Sequence, residues 1–172
     1  MTVGAIVQAR LGSTRLPGKA LLDIAGTSMV ARVLDRTRRA QTIDRVILAT
    51  TATSQDDRLV EYVRGLPVEV YRGDEDDVLD RYYQTAKHYA LDVVVRITSD
   101  CPLLDPSLID QVVQPLLDSS STVDFSANTL VRTFPRGLDV EAVTSTALER
   151  VWRTAKAPHQ RAHVFPYVSE HR

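Results

Sequence analysis

Val93-Val94-Val95-Arg96-Ile97 runs almost unbroken in apolar residues toward Asp100, and Asp105-Pro106 then opens a helical pattern. Such a run reads as a strand buried on both faces of a parallel sheet. Ala5-Ile6-Val7 and Val46-Ile47-Leu48-Ala49 read the same way, and Val68-Glu69-Val70-Tyr71 is a further short strand. Amphipathic segments fall between them. From Ser28 as N-cap, Met29, Val30, Val33 and Leu34 share one face, while Arg32, Arg36 and Arg39 point away. Ser54-Gln55-Asp56-Asp57 resembles a capping box opening a helix through Leu59, Val60 and Val63. A third helix is expected from Asp77 to Tyr89. The fourth starts with Asp105 as N-cap and Pro106 at its first position, and Pro115 should end or kink it.

Alternation of strand and helix predicts one three-layer α/β/α domain with a mostly parallel sheet and right-handed crossovers. The pattern changes after residue 120. Asp124 to Ala127 and Leu138 to Val143 read as shorter strands separated by Arg132 to Gly137, and a helix follows from Thr144 to Ala155. Asp118 to Thr122 reads as a polar loop. Val164-Phe165-Pro166-Tyr167-Val168 is an apolar tail, which either docks on the domain or marks a truncated chain.

Composition narrows the class. The chain has 172 residues, 44% hydrophobic and 25% charged, which excludes intrinsic disorder. At this length one domain buries roughly 70% of the surface that its unfolded chain exposes. Twenty-one Lys and Arg against 22 Asp and Glu leave net charge −1, which argues against nucleic acid as a partner. No apolar run approaches the ~20 residues of a membrane span. MTVGAIVQAR lacks a basic leader and cleavage site, and the single Cys101 forms no internal disulfide, so a cytoplasmic location is expected.

In an open α/β sheet, ligands bind at the carboxyl ends of strands. The first connection there is Gln8-Ala9-Arg10-Leu11-Gly12-Ser13-Thr14-Arg15-Leu16-Pro17-Gly18-Lys19. Arg10, Arg15 and Lys19 stand among glycines and hydroxyls. Guanidinium forks match phosphate oxygens, and glycines let backbone N–H groups of Gly12 and Ser13 turn toward an anion. The bland alternative is a basic surface loop. Spacing excludes a P-loop, because five residues separate Gly12 from Gly18 and Ala20 follows Lys19. No Gly-x-Gly-x-x-Gly occurs either.

Asp100, at the end of the fourth strand, faces that loop and suits Mg²⁺, which takes one or two carboxylates plus phosphate oxygens and water. Its alternative is a turn cap before Cys101-Pro102. Asp74 to Asp76 read as acids at a solvated helix N-terminus. His159 and His163 have i, i+4 spacing but no third metal ligand. Cys101 reads as a small packing residue, and Tyr82, Tyr83 and Tyr89 as helix-packing aromatics.

Ile6 to Lys19 resembles the signature of sugar nucleotidyltransferases of the 3-deoxy-manno-octulosonate cytidylyltransferase type. Tyr71-Arg72-Gly73-Asp74-Glu75-Asp76-Asp77-Val78-Leu79-Asp80-Arg81-Tyr82 continues the resemblance, as do Arg96 to Pro106, Gly137-Leu138-Asp139-Val140-Glu141 and His163 to Tyr167. The chain looks closest to the spore-coat polysaccharide biosynthesis protein F branch. The resemblance implies a nucleotide-diphospho-sugar transferase-like fold over residues 1–172. It implies transfer of CMP from CTP, or of another nucleoside monophosphate, to a sugar or sugar acid, with release of pyrophosphate.

By the same resemblance Arg15, Lys19 and Asp100 are catalytic, with Asp100 holding Mg²⁺. Arg10, Gly12, Ser13, Asp80 and Arg81 bind nucleotide, a surface ion pair being the alternative for Asp80 and Arg81. Asp139 is either an acid near the acceptor sugar or an exposed strand carboxylate. A homodimer through residues 132 to 168 is expected. Family members continue into a segment with a second metal-ligating Asp, which this sequence does not reach. Either Asp139 or a partner subunit substitutes for that ligand, or the chain is a nucleotide- or sugar-binding remnant without turnover.

Overall fold

A computed structural model describes residues 1–13, 15–118 and 122–171. Six strands form one sheet: β1 (Val3–Gln8), β2 (Arg45–Thr51), β3 (Glu69–Gly73), β4 (Val93–Thr98), β5 (Phe125–Ala127) and β6 (Glu141–Thr144), in the order β3-β2-β1-β4-β6-β5. β1 pairs in parallel with β2 and β4, and β2 with β3. β6 runs antiparallel to both β4 and β5, where the sequence pattern also changes. β1, β2 and β4 are almost wholly buried, as their continuous apolar runs require. β3 is an edge strand and only half-buried, which fits its Glu69 and Arg72.

Side chains alternate across the sheet and feed two cores. Val3, Ala5, Val7, Val93, Val95 and Ile97 meet Val33 and Leu34 of α1 (Met29–Arg38), Leu59 and Val63 of α2 (Asp57–Val63), and Ile109 and Val113 of α4 (Pro106–Leu117). On the other face Ile6, Ile47 and Val94 meet Leu79 and Tyr82 of α3 (Val78–His88) and Leu148 and Val151 of α5 (Ser145–Thr154). Each fully buried Val, Leu or Ile contributes about 1.5–3 kcal/mol. The three-layer α/β/α expectation holds.

Local signals hold where a side chain caps a helix. Ser28 Oγ accepts from the N–H of Ala31, Asp77 from Asp80, and Asp105 from Ser107. Pro115 does not end α4, which runs on to Leu117. Sitting in the last turn, it costs one ladder bond, and the Asp118 N–H still reaches the Gln114 carbonyl. The Ser54–Asp57 capping box does not form. Ser54–Asp56 is a 3₁₀ turn without a side-chain cap, and Asp56 points inward instead. Leu138 to Val140 stay outside β6, because the Asn128 side chain donates to the Leu138 carbonyl and accepts from the Val140 N–H in place of ladder bonds.

The apolar tail docks on the domain. After α6 (Pro158–His163) and before α7 (Pro166–Glu170), Val164 and Phe165 enter the α3–α5 core. That burial takes Val164 and Phe165 out of any exposed apolar face and leaves Phe134 as the exposed large apolar residue among the described ones of 132–168, with Leu130 and Val131 exposed just before it. Of the polar loop expected at Asp118 to Thr122, residues 119–121 lie outside the described ones. No helix among the described residues is long and apolar enough to cross a membrane.

Candidate active site

Strand order reverses between β1 and β4. β2 and β3 lie to one side of β1, and β6 and β5 beyond β4. The crevice outside the carboxyl ends of such a neighbouring pair is where open α/β sheets bind ligands. Here it is a cavity of about 500 Å³, within the range of small-molecule sites. Its walls come from four places: the loop after β1, the β3–α3 connection, the end of β4, and the end of α6.

The β1 loop is tied together at Leu11. The Leu11 carbonyl accepts from both the Ser13 and Gly18 N–H groups, each at 2.9 Å. Gly18 has φ 72°, a conformation that suits glycine. The Leu11 N–H donates to Asp56 Oδ1 at 2.7 Å. The other Asp56 oxygen accepts from Thr50 Oγ1 and from the Thr51 N–H and hydroxyl. Burial alone would raise the pKa of Asp56, but this full set of donors holds it below the ordinary carboxylate range. Asp56 is thus a buried anchor that fastens the loop to the end of β2.

Arg10, Ser13, Arg15 and Lys19 line the cavity, as expected. Ser13 does so with its N–H already donated inside the loop, so it offers no free backbone donor. Gly12 does not line the cavity. It lies under Gln55, whose Oε1 would sit 3.0 Å from an added Cβ. Of this loop it is chiefly the cationic side chains that face the cavity among the described residues, and Thr14 lies outside them. Arg15 is exposed, and among the described residues it has no ion-pair partner. Arg10 pairs with Glu75 at 3.4 Å.

Across the crevice, Lys19 Nζ donates to Asp100 Oδ2 at 2.5 Å. Half-burial would raise the Asp100 pKa, yet the Lys19 hydrogen bond and charge, with a Thr98 hydrogen bond, bring it below the usual carboxylate range. The carboxylate is thereby ionised and facing a cation. Its hard oxygen and the open cavity beside it suit a divalent ion shared with phosphate oxygens. Among the described residues no cluster of three or more metal-ligating side chains exists, so Asp100 would be the main protein ligand.

Arg81 also lines the cavity and is 3% exposed. Its Nη1 donates to the Asp74 carbonyl, its Nε has no partner, and no carboxylate pairs with it among the described residues. Burial pushes its pKa down. A buried cation this poorly compensated favours an anionic ligand nearby.

Two expected residues are elsewhere. Asp80 and Arg81 form no surface ion pair: Asp80 accepts from Trp152 Nε1 at 2.8 Å and from Gln84, away from the cavity. Asp139 forms a two-bond pair with Arg132 at 2.7 and 3.2 Å and does not line the cavity. Conversely, Glu75 and Asp76 line it, although their sequence reads as a solvated helix start. His163 lines it as well, while His159 pairs with Glu170 at 2.7 Å. His163 is held by a tight turn. Val164 has φ 65° and ψ −58°, and the Phe165 N–H donates to the His163 carbonyl at 2.9 Å. This is a γ-turn of the rare, strained kind, centred on a β-branched residue. Cys101 is buried with its Sγ 3.1 Å from the Thr98 hydroxyl, and burial pushes its thiol pKa up. The three tyrosines pack as expected: Tyr82 and Tyr89 bond backbone carbonyls, and Tyr83 stacks on Trp152.

A cytidylyltransferase family model matches residues 4–172. The chain is 41% identical over 170 residues to the uncharacterized protein MJ1063 of Methanocaldococcus jannaschii, covering 99% of this chain and 68% of that one. It is 37% identical over 135 residues to a 3-deoxy-manno-octulosonate cytidylyltransferase of Geobacter sulfurreducens (77% and 52% covered). To the spore coat polysaccharide biosynthesis protein SpsF of Bacillus subtilis it is 31% identical, with 96% and 69% covered. The chain thus spans about half to two thirds of these relatives, and identity does not single out the spore-coat branch. Among solved structures, a cytidylyltransferase from Leptospira borgpetersenii superposes with TM-score 0.94 at 38% identity, covering 99% of this chain and 72% of that one.

Proposed function

The chain belongs to the cytidylyltransferase family, and on that premise we propose that it transfers CMP from CTP to a sugar or sugar-acid hydroxyl with release of pyrophosphate. The observation that carries this reading is the Arg10–Arg15–Lys19 loop standing against Asp100 across the β1–β4 crevice. The acceptor oxygen bonds to the α-phosphorus, the bond to the bridging oxygen breaks, and pyrophosphate leaves with that electron pair. The hydroxyl proton passes to solvent. Positioning and charge neutralisation supply most of the acceleration in such transfers.

In this reading Arg15 and Arg10 grip phosphate oxygens, and Lys19 turns from Asp100 to the triphosphate. Bound Mg²⁺, with Asp100 as its protein ligand, would supply charge neutralisation at the phosphates. Arg81 adds a buried positive charge beneath the nucleotide. Asp80 and Asp139 have no part in it. The product would feed polysaccharide or glycoconjugate assembly, and self-association would use the exposed 130–134 face.

The test is Mg²⁺-dependent release of pyrophosphate from CTP over a panel of sugars, with 3-deoxy-manno-octulosonate among them. Release that needs both metal and sugar supports the reading. A second reading, nucleotide binding without turnover, is favoured by one observation: Asp100 stands at the phosphate end without a cluster of three or more metal-ligating side chains among the described residues. CTP binding with no pyrophosphate release from any sugar would select it.

A further inference from the structure

Beneath the cavity a polar row crosses three strands on the α3–α5 face of the sheet. Arg96 of β4 lies opposite Ile6 of β1 and opposite Glu141 of β6. Its Nε donates to Gln8 Oε1 at 3.3 Å, and its Nη1 donates to Glu141 Oε2 at 2.5 Å. The second Glu141 oxygen accepts from Thr129 Oγ1 at 3.2 Å. Both charged side chains are mostly buried, 20% and 16% exposed, so the pair is weakly screened and holds one geometry. Gln8, in turn, lines the cavity.

A side-chain amide has a carbonyl end and an NH₂ end, and which one faces a ligand depends on its neighbours. Arginine carries donors only. Arg96 therefore takes the carbonyl oxygen of Gln8 and leaves the NH₂ as the end that this cavity-lining side chain can offer to a ligand. Among the described residues that nitrogen has no hydrogen-bond partner. Glu141 keeps Arg96 in place, so the charge pair sets the polarity of a neutral group that faces substrate.

Resting on the nucleotidyltransferase reading, we propose that Gln8 donates a hydrogen bond to an oxygen of the bound nucleoside, and that Glu141 positions it through Arg96. The phosphates have Arg10, Arg15 and Lys19 available as charged partners. A neutral donor at the foot of the same wall adds direction rather than charge. It favours a carbonyl or hydroxyl oxygen over an amino group at that point of the ligand.

The experiment is calorimetric titration of CTP and, separately, of inorganic tripolyphosphate into the full chain. Gln8→Met keeps the volume and removes the donor. It should weaken CTP about three- to tenfold, the worth of one neutral hydrogen bond, and leave tripolyphosphate unchanged. Glu141→Gln should weaken CTP in the same direction. The double variant should bind CTP no more weakly than Gln8→Met alone, because Glu141 acts only through Gln8. Gln8→Met leaves the charge pair intact, so the inference stays testable even where Glu141→Gln unfolds the chain. Unchanged CTP binding by Gln8→Met overturns the inference while the functional reading stands. An equal loss for tripolyphosphate, or losses that add fully in the double variant, overturns it too. A wild-type chain that binds no CTP overturns the functional reading and the inference with it.

Discussion

Lys19 Nζ and Asp100 Oδ2 stand 2.5 Å apart, joining the loop after β1 to the end of β4 across the point where strand order reverses. The two groups thought to serve triphosphate and metal are thus each other's partners before either ligand arrives. Binding has to exchange that pair: phosphate takes the ammonium, and a divalent ion takes the carboxylate.

Removing the ammonium should expose what it does to Asp100. Burial acts to raise the Asp100 pKa, and the Lys19 hydrogen bond and charge act to lower it. In Lys19→Met only the Thr98 hydrogen bond and the bond from Asp100's own backbone N–H are left to oppose burial. The Asp100 carboxyl should then titrate at higher pH than in the wild type, read from its side-chain carbon shift. An unmoved titration would mean that the pair does not persist in solution.

Asp56 makes an acid-stability prediction. Its carboxylate is 1% exposed and accepts from the Leu11 and Thr51 N–H groups and from two threonine hydroxyls. Its folded pKa lies below the unfolded value, so its stabilisation is fully present above about pH 4 and is lost as pH falls through the folded pKa. Asp56→Asn, which cannot accept from all of these donors, should lose about 1–3 kcal/mol at neutral pH. It should also lose less than the wild type on acidification, as urea midpoints at pH 7 and pH 3 would reveal.

Val164 should tolerate a change that a buried valine normally does not. Its side chain is fully buried, worth about 1.5–3 kcal/mol, while its positive φ stores about 1–3 kcal/mol of strain that glycine would release. The two nearly cancel in Val164→Gly. Val143→Gly, equally buried but in ordinary β6 backbone, has no such compensation and should cost several-fold more. Comparable losses in thermal unfolding would remove the strain argument, and with it the reason that His163 is held so firmly at the cavity.

What was legible in the sequence follows physical range. Apolar runs and caps are local, so β1, β2, β4 and the helix starts at Ser28, Asp77 and Asp105 could be read directly. Arg15, Lys19 and Asp100 were legible because strand ends alone place them in one crevice. Asp80 could not be told apart from Arg81 in the sequence, yet neighbours on a helix point about 100° apart: Arg81 faces the cavity wall and Asp80 faces Trp152. Asp139 shares a segment with Arg132, and only the fold shows the two engaged with each other. His163 depends on a backbone conformation that valine rarely adopts. The Gln8–Arg96–Glu141 row depends on strand register, to which no local pattern refers.

The last prediction separates the two ends of the proposed phosphate site. Arg15 is exposed without a partner among the described residues, so its guanidinium is free to meet phosphate oxygens with two parallel bonds, which a lysine would not reproduce. Arg15→Ala should weaken CTP binding whether or not Mg²⁺ is present, because the lost partner is the phosphate itself. Asp100 works differently. Asp100→Asn removes an anion from a phosphate site and frees Lys19, so metal-free CTP binding should hold or improve. The gain that Mg²⁺ brings should vanish, since a neutral amide oxygen replaces the charged ligand. Calorimetric titration of CTP with and without Mg²⁺ for both variants gives four affinities, and the pattern matters more than any one of them. Should Asp100→Asn keep the full Mg²⁺-dependent gain, the metal is held elsewhere, and the carboxylate at the end of β4 serves only to park Lys19.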